Sequence, residues 1–134
     1  MIGSEIIKKV KNLNLPAGSF VVYGSGPLAI LGIREANDID LLAAEEVFEQ
    51  LKRIGWSELK KGHNDTPVVY DVFEVHKNWN FSGYNPTLTH LLASAMVVEG
   101  VPIASLLEVK KWKLTSTRAK DMADVKLIDA YFDK

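Results

Sequence analysis

The sequence predicts an α+β domain, and three observations carry that reading. Short apolar runs bounded by glycine or proline cluster in the first half of the chain. Three helical patterns follow them, and mixed strands followed by three helices argue for α+β rather than a doubly wound sheet. At 134 residues with 47% apolar side chains, the chain has the length and material for one compact core.

Taken in order, Ser4 reads as the N-cap of a first helix whose Ile6, Val10 and Leu13 share a face, and Pro16-Ala17-Gly18 ends it. Phe20-Val21-Val22-Tyr23 reads as a buried strand, and Gly24-Ser25-Gly26-Pro27 forces a tight turn into a short helix. Asp38-Ile39-Asp40-Leu41-Leu42 alternates with period two, ahead of a helix striped by Val47, Phe48, Leu51 and Ile54. Residues 56–60 and 68–76 are expected to form a hairpin around the turn-forming segment 62–67. Asn85-Pro86 is expected to open a helix that runs to about Val98 and closes at Glu99-Gly100. Ser105-Leu106-Leu107-Glu108 is a capping-box pattern opening a helix through Leu114, and a last helix carries Met122, Val125, Ile128 and Phe132 on one side.

Composition narrows the function classes. The formal net charge is −1 with 25% charged residues, so nothing draws the chain as a whole to nucleic acid or an anionic membrane. The lack of cysteine excludes disulfides and thiolate zinc sites and fits a reducing compartment. No apolar run approaches the ~20 residues of a membrane span. A soluble, cytoplasmic protein is expected.

The sharpest chemical signal is Gly24-Ser25 followed, after twelve residues, by Asp38-Ile39-Asp40-Leu41. Residues two apart on a strand point to one face with Cα atoms ~6.5–7 Å apart, so Asp38 and Asp40 project together. Magnesium is commonly held by one or two carboxylates plus substrate phosphates, the ligand set this pair offers a nucleoside triphosphate (NTP). Glycines in the Gly24-Ser25-Gly26 turn let backbone amides approach a phosphate, and Ser25 adds a hydroxyl donor.

Tyr23-Gly24-Ser25 with Asp38-Ile39-Asp40-Leu41 resembles the motif of the nucleotidyltransferase superfamily, DNA polymerase β-like: an apolar residue, Gly, Gly or Ser, a short helix, then two acids flanking one apolar residue. Residues 18–76 carry the resemblance best. The stretches Glu108-Val109-Lys110-Lys111-Trp112-Lys113 and Arg118-Ala119-Lys120-Asp121-Met122-Ala123-Asp124 extend it toward minimal bacterial and archaeal relatives of abortive-infection toxins. The resemblance implies a mixed sheet of about four to five strands, with helices packed on one face and C-terminal helices. It also implies a single domain over 1–134, with a core in 1–76 that carries the turn and acids and a helical part in 77–134. The implied activity is transfer of a nucleoside monophosphate from an NTP such as ATP to an acceptor hydroxyl, using Mg2+ or Mn2+ on Asp38, Asp40 and a third acid. Residues three apart on a regular strand face opposite sides, so Asp71 and Glu74 cannot both serve equally; the resemblance favours Asp71, near the start of an apolar strand segment, with Glu74 as the alternative. Gly24 and Ser25 are expected to hold phosphates.

Lys110 and Lys113, three apart on one helical face, are the expected nucleotide-binding cations of the basic stretch, most of which reads as solvated helix surface. Arg118 with Asp121, and Lys120 with Asp124, read as local helical ion pairs. His63, His76 and His90 lack metal-ligand spacing, and His76 reads as a polar group near the cleft. Trp79 and Phe81 could stack on a base. The acceptor, whether RNA, protein or small molecule, is not specified, and a homodimer or partner chain could complete its site. Two other readings stay open: a non-catalytic nucleotide-binding module of the toxin and antitoxin kind, and a metal-dependent phosphodiesterase using the same acids.

Overall fold

The structure is a computed structural model that describes residues 1–59, 66–81 and 83–134. Its fold is α+β, built on a seven-stranded mixed sheet. The elements in chain order are α1 (Gly3–Asn12), β1 (Phe20–Tyr23), α2 (Gly26–Ile30), β2 (Ile39–Ala43), α3 (Glu45–Arg53), β3 (Ser57–Glu58), β4 (Val68–Tyr70), β5 (Phe73–His76), α4 (Leu88–Ala93), β6 (Met96–Val98), β7 (Val101–Ile103), α5 (Leu106–Lys113) and α6 (Ala119–Phe132). The strands lie in the order β3-β4-β5-β2-β1-β7-β6. β1 runs antiparallel to β2 and parallel to β7, while β2 and β5 are parallel.

Strand alternation sorts the core. Phe20, Val22, Ile39, Leu41, Phe73 and Val75 join one apolar cluster with Ile6 and Val10 of α1 and Phe48 and Leu51 of α3. The intervening residues Val21, Tyr23 and Leu42 meet Trp79, Leu91 of α4 and Trp112 on the opposite face. A third cluster, Leu28, Leu106, Val109 and Ile128, packs α2, α5 and α6 together. Among the described residues no helix is long and apolar enough to cross a membrane.

The structure departs from the sequence expectations at several boundaries. Residues 68–76 are not one strand, because Asp71 takes φ +54° and folds them into the β4–β5 hairpin with a two-residue turn. Of the expected strand at 56–60 only the short β3 forms among the described residues, antiparallel to β4, and 62–65 of the expected turn lie outside the described residues, as does His63. The helix expected from Asn85 to Val98 is only α4, capped by Thr87, whose Oγ1 accepts from the His90 amide at 3.1 Å. Met96-Val97-Val98 instead pairs with Val101-Pro102-Ile103, joined by Glu99 and Gly100 at φ +49° and +80°. Two successive left-handed residues are what a type I′ hairpin turn requires, and the β-branched valines favour a strand. α1 begins one residue before Ser4, with Ile2 as N-cap, and Glu5 Oε1 accepts from the Ile2 amide at 3.0 Å. The Ser105 cap stands as expected, accepting from the Glu108 amide at 3.3 Å. On α6 the buried set is Asp121, Asp124, Val125 and Ile128, whereas Met122 and Phe132 are exposed.

Candidate active-site cleft

β1 ends at Tyr23, opposite Asp40 of β2, and the chain then turns through Gly24 with φ +63°. A Cβ at Gly24 would stand 2.2 Å from Asp40 Oδ2, so only glycine lets the turn pass this close to the carboxylate. The parallel β2–β5 register sets Asp40 beside Glu74 and Leu42 beside His76. Alternation therefore turns Glu74 and His76 to the face of Asp40, away from the core residues Phe73 and Val75. One ligand atom from each of Asp40, Glu74 and His76 can be chosen so that all lie within 4.8 Å of one another. His76 is buried, and its Nε2 lies 3.2 Å from Asp40 Oδ1. Asp38 immediately precedes β2, and neither it nor Asp40 makes an ion pair with lysine or arginine among the described residues.

These groups open into a cleft of about 550 Å³ lined by Ser25, Asp38, Asp40, Glu74 and His76 at one end. Trp79, Phe81 and Trp112 line it further along, with ring centroids 5.0 Å apart for Trp79 and Trp112 and 5.7 Å for Trp79 and Phe81. Trp79 is 3% exposed, and its indole N–H is the one buried side-chain donor without a partner among the described residues. A second cavity, about 600 Å³, lies between the end of α1 and the β6–β7 hairpin. Its charged lining residues, Lys11 and Glu99, neutralise one another at 3.1 Å, and it gathers no group of acids or imidazoles.

The opposite wall of the cleft comes from α5, α6 and the segment between them, and includes Lys113, Arg118, Lys120 and Asp121. Lys113 is 1% exposed, with Nζ 3.2 Å from Asp121 Oδ1 and 2.8 Å from Asp124 Oδ2. Asp124 also accepts from Arg34, Nε to Oδ1 and Nη2 to Oδ2, both at 2.7 Å. Arg118 Nε meets Asp121 Oδ2 at 2.8 Å, as the helical spacing suggests, but Asp124 is taken by Lys113 and Arg34 rather than by Lys120. Burial pushes the Asp121 and Asp124 carboxyls up. Hydrogen bonds from Arg118, Ser116 and Lys113 to the first, and from Arg34 and Lys113 to the second, outweigh it and hold both below the ordinary range.

Behind the aromatic wall, Tyr23 and Tyr84 share a 2.5 Å hydroxyl contact, and Tyr84 donates to Glu108 Oε2 at 2.5 Å. Burial first, then the contact with the partner hydroxyl for Tyr23 and with Glu108 for Tyr84, raises both phenol pKa values, so both stay neutral. Glu108 also meets His90 Nε2 at 2.8 Å and Lys111 at 3.3 Å.

The structure thus brings Gly24, Ser25, Asp38, Asp40 and Glu74 together, but not Asp71. Asp71 sits exposed in the β4–β5 turn, its carboxylate 3.4 Å from Lys9. Lys110 does not line the cleft and pairs with Asp129 at 2.6 Å, whereas Lys113 lines it with its ammonium held by two aspartates. Sequence reasoning missed Arg34, a lone arginine in a loop with no periodic pattern to mark it. It placed Val125 and Ile128 on one side of the last helix but missed that Asp121 and Asp124 share their buried face, the four recurring at i, i+3, i+4 and i+7.

No family model matches the chain. Among solved structures its fold is that of a nucleotidyltransferase. The aminoglycoside nucleotidyltransferase ANT(2")-Ia, solved in complex with adenylyl-2"-tobramycin, aligns with a TM-score of 0.51 at 15% identity, over 95% of this chain and 85% of that one. Among curated proteins, alanine–tRNA ligase of Chlamydia caviae is 32% identical over 83 residues, 59% of this chain. The chain spans about a tenth of that protein's length.

Proposed function

We propose that this chain is a metal-dependent nucleotidyltransferase that moves a nucleoside monophosphate from an NTP to an acceptor hydroxyl and releases pyrophosphate. One observation carries the reading: Asp40 and Glu74 converge beside the Gly24-Ser25 turn in a cleft that Asp38 also lines, on a fold shared with a nucleotidyltransferase.

The donor set fits a divalent cation. Carboxylate oxygens suit Mg2+ and Mn2+, and Asp40 and Glu74 supply them within one group. Asp38, Asp40 and Glu74 would hold the cation, which when bound supplies charge neutralisation at the phosphoryl oxygens. With Nε2 protonated, His76 donates to Asp40 and fixes its carboxylate. Gly24 admits the phosphate chain against the turn, and the Ser25 hydroxyl donates to a phosphate oxygen. The acceptor hydroxyl gives its proton to Glu74 as its oxygen bonds to the α-phosphorus. The bond from that phosphorus to the α–β bridging oxygen then breaks, and pyrophosphate leaves. Lys120 offers positive charge on the facing wall, where Lys113 and Arg118 are committed to aspartates and Lys110, outside the cleft, pairs with Asp129. Trp79, Phe81 and Trp112 provide flat apolar surface for a base.

The test is pyrophosphate release from NTP with Mg2+ or Mn2+, with candidate acceptors supplied. Asp40→Asn and Glu74→Gln should each lower the rate at least ~10²-fold, the scale on which a single electrostatic group in an active site acts. Asp71→Asn should leave it within about twofold, as expected for an exposed surface pair. Full activity in Glu74→Gln, or its loss in Asp71→Asn, overturns the assignment of the third acid.

A further inference from the structure

The Gly-Ser turn and the C-terminal helix are joined through one guanidinium. Arg34 lies between α2 and β2, and four of its five N–H groups are committed. Nη2 donates to Ser25 Oγ at 2.8 Å and to Asp124 Oδ2 at 2.7 Å, Nε donates to Asp124 Oδ1 at 2.7 Å, and Nη1 donates to the Glu35 carbonyl at 2.7 Å. Asp124 is gripped from its other side by Lys113 at 2.8 Å, and Lys113 reaches Asp121, which takes Arg118. Contacts of alternating charge therefore run from α6 through α5 to the hydroxyl at the cleft. The bidentate fork holds the guanidinium plane more firmly than a single contact would.

The direction of the Ser25 contact matters. A guanidinium can only donate, so Arg34 occupies a lone pair on Oγ, and the single hydroxyl proton must be donated elsewhere. Ser25 donates to no acceptor among the described residues, and it lines the cleft beside Asp38 and Asp40. The hydrogen bond with Asp124 raises the Arg34 pKa, burial opposes it, and the charges of Asp124, Asp121 and Asp38 add to the rise, so the donor role holds at every ordinary pH.

We propose that Arg34 is a positioning residue that acts through Ser25, turning the hydroxyl proton toward the phosphate end of the cleft and tying that orientation to the seating of α6. This rests on the nucleotidyl-transfer reading. A double-mutant cycle tests it: wild type, Ser25→Ala, Arg34→Gln and the double variant are titrated with inorganic tripolyphosphate in the presence of Mn2+, and with Mn2+ alone. Each single variant should weaken tripolyphosphate binding by about 10-fold, the reach of one charge-assisted hydrogen bond, and the double variant no further. Mn2+ affinity should not move. Arg34→Lys keeps a cation beside Asp124 without the fork, so it should keep the melting temperature and still bind tripolyphosphate more weakly; it carries the test if Arg34→Gln does not fold. Losses that add in the double variant, or undiminished binding in Arg34→Lys, overturn the positioning role alone. Wild-type protein that binds Mn2+ but no tripolyphosphate overturns the phosphate-site reading and this proposal with it.

Discussion

Acids line both walls of the cleft, and the two walls treat them in opposite ways. On the helical wall Asp121 and Asp124 are 1% and 3% exposed, and each is matched by two cationic side chains: Lys113 and Arg118 for the first, Lys113 and Arg34 for the second. On the sheet wall Asp38, Asp40 and Glu74 are half-buried, and the aspartates meet no ammonium or guanidinium ion pair among the described residues. A paired buried carboxylate is architecture, because its charge is already spent on its neighbours. Carboxylates held close on one face repel one another, and a bound cation relieves that repulsion. The difference separates an acid pair locked into the helical wall from the aspartates beside the Gly24-Ser25 turn.

Three substitutions or conditions break or sharpen that contrast. Lys113→Ala should have the largest effect, a loss of about 3–5 kcal/mol of stability, because it strands two buried carboxylates. Chemical denaturation measures it, and a loss under 1 kcal/mol would place Lys113 outside the architecture. Gly24→Ala should act on the other wall. Its Cβ would collide with Asp40 Oδ2, and displacing a carboxylate by about 1 Å should cost ~10²-fold in pyrophosphate release while stability falls by only ~1 kcal/mol. Acid should produce the smallest and most graded change. Burial raises the pKa of Glu108, and hydrogen bonds from Tyr84, His90 and Lys111 outweigh it, so Glu108, like Asp121 and Asp124, has a folded-state pKa below its unfolded value. The stabilisation is complete above about pH 4 and drains away as the pH falls through the lower folded-state values. Melts from pH 7 to pH 2 should show a flat region and then a fall, and Asp124→Asn should lose part of that fall.

The sheet wall was largely legible in the sequence, since Gly24-Ser25 and Asp38-Ile39-Asp40 form a local pattern whose geometry follows from strand parity. The placement of Glu74 beside Asp40 was not. Residues 68–76 look like a continuous strand until Asp71 is seen at positive φ, and only the register with β2 picks out Glu74. Parity pointed the same way, for on an unbroken strand Asp71 would share the side of Phe73 and Val75, both of which are core. The β6–β7 hairpin carried its own signal in Val97-Val98-Glu99-Gly100, obscured by the helix start read at Asn85-Pro86. The helical wall was least legible. Amphipathic patterning assigns charged residues to solvent, so Asp121 and Asp124 read as surface pairs, although their partners lie on α5 and in the loop before β2.

The parallel pairing of β1 with β7, through Val22 and Ile103, has a consequence for assembly. β1 is buried along its whole length and supplies residues to both faces of the sheet, yet one of its edges is covered by residues that follow it by some eighty positions. Closing so long a loop costs chain entropy and makes this a high contact-order pairing, which is expected to form late in folding. Until it happens, the nascent sheet presents an unsatisfied strand edge beside the Gly24-Ser25 turn, and that end of the cleft is complete only when its distant neighbour arrives.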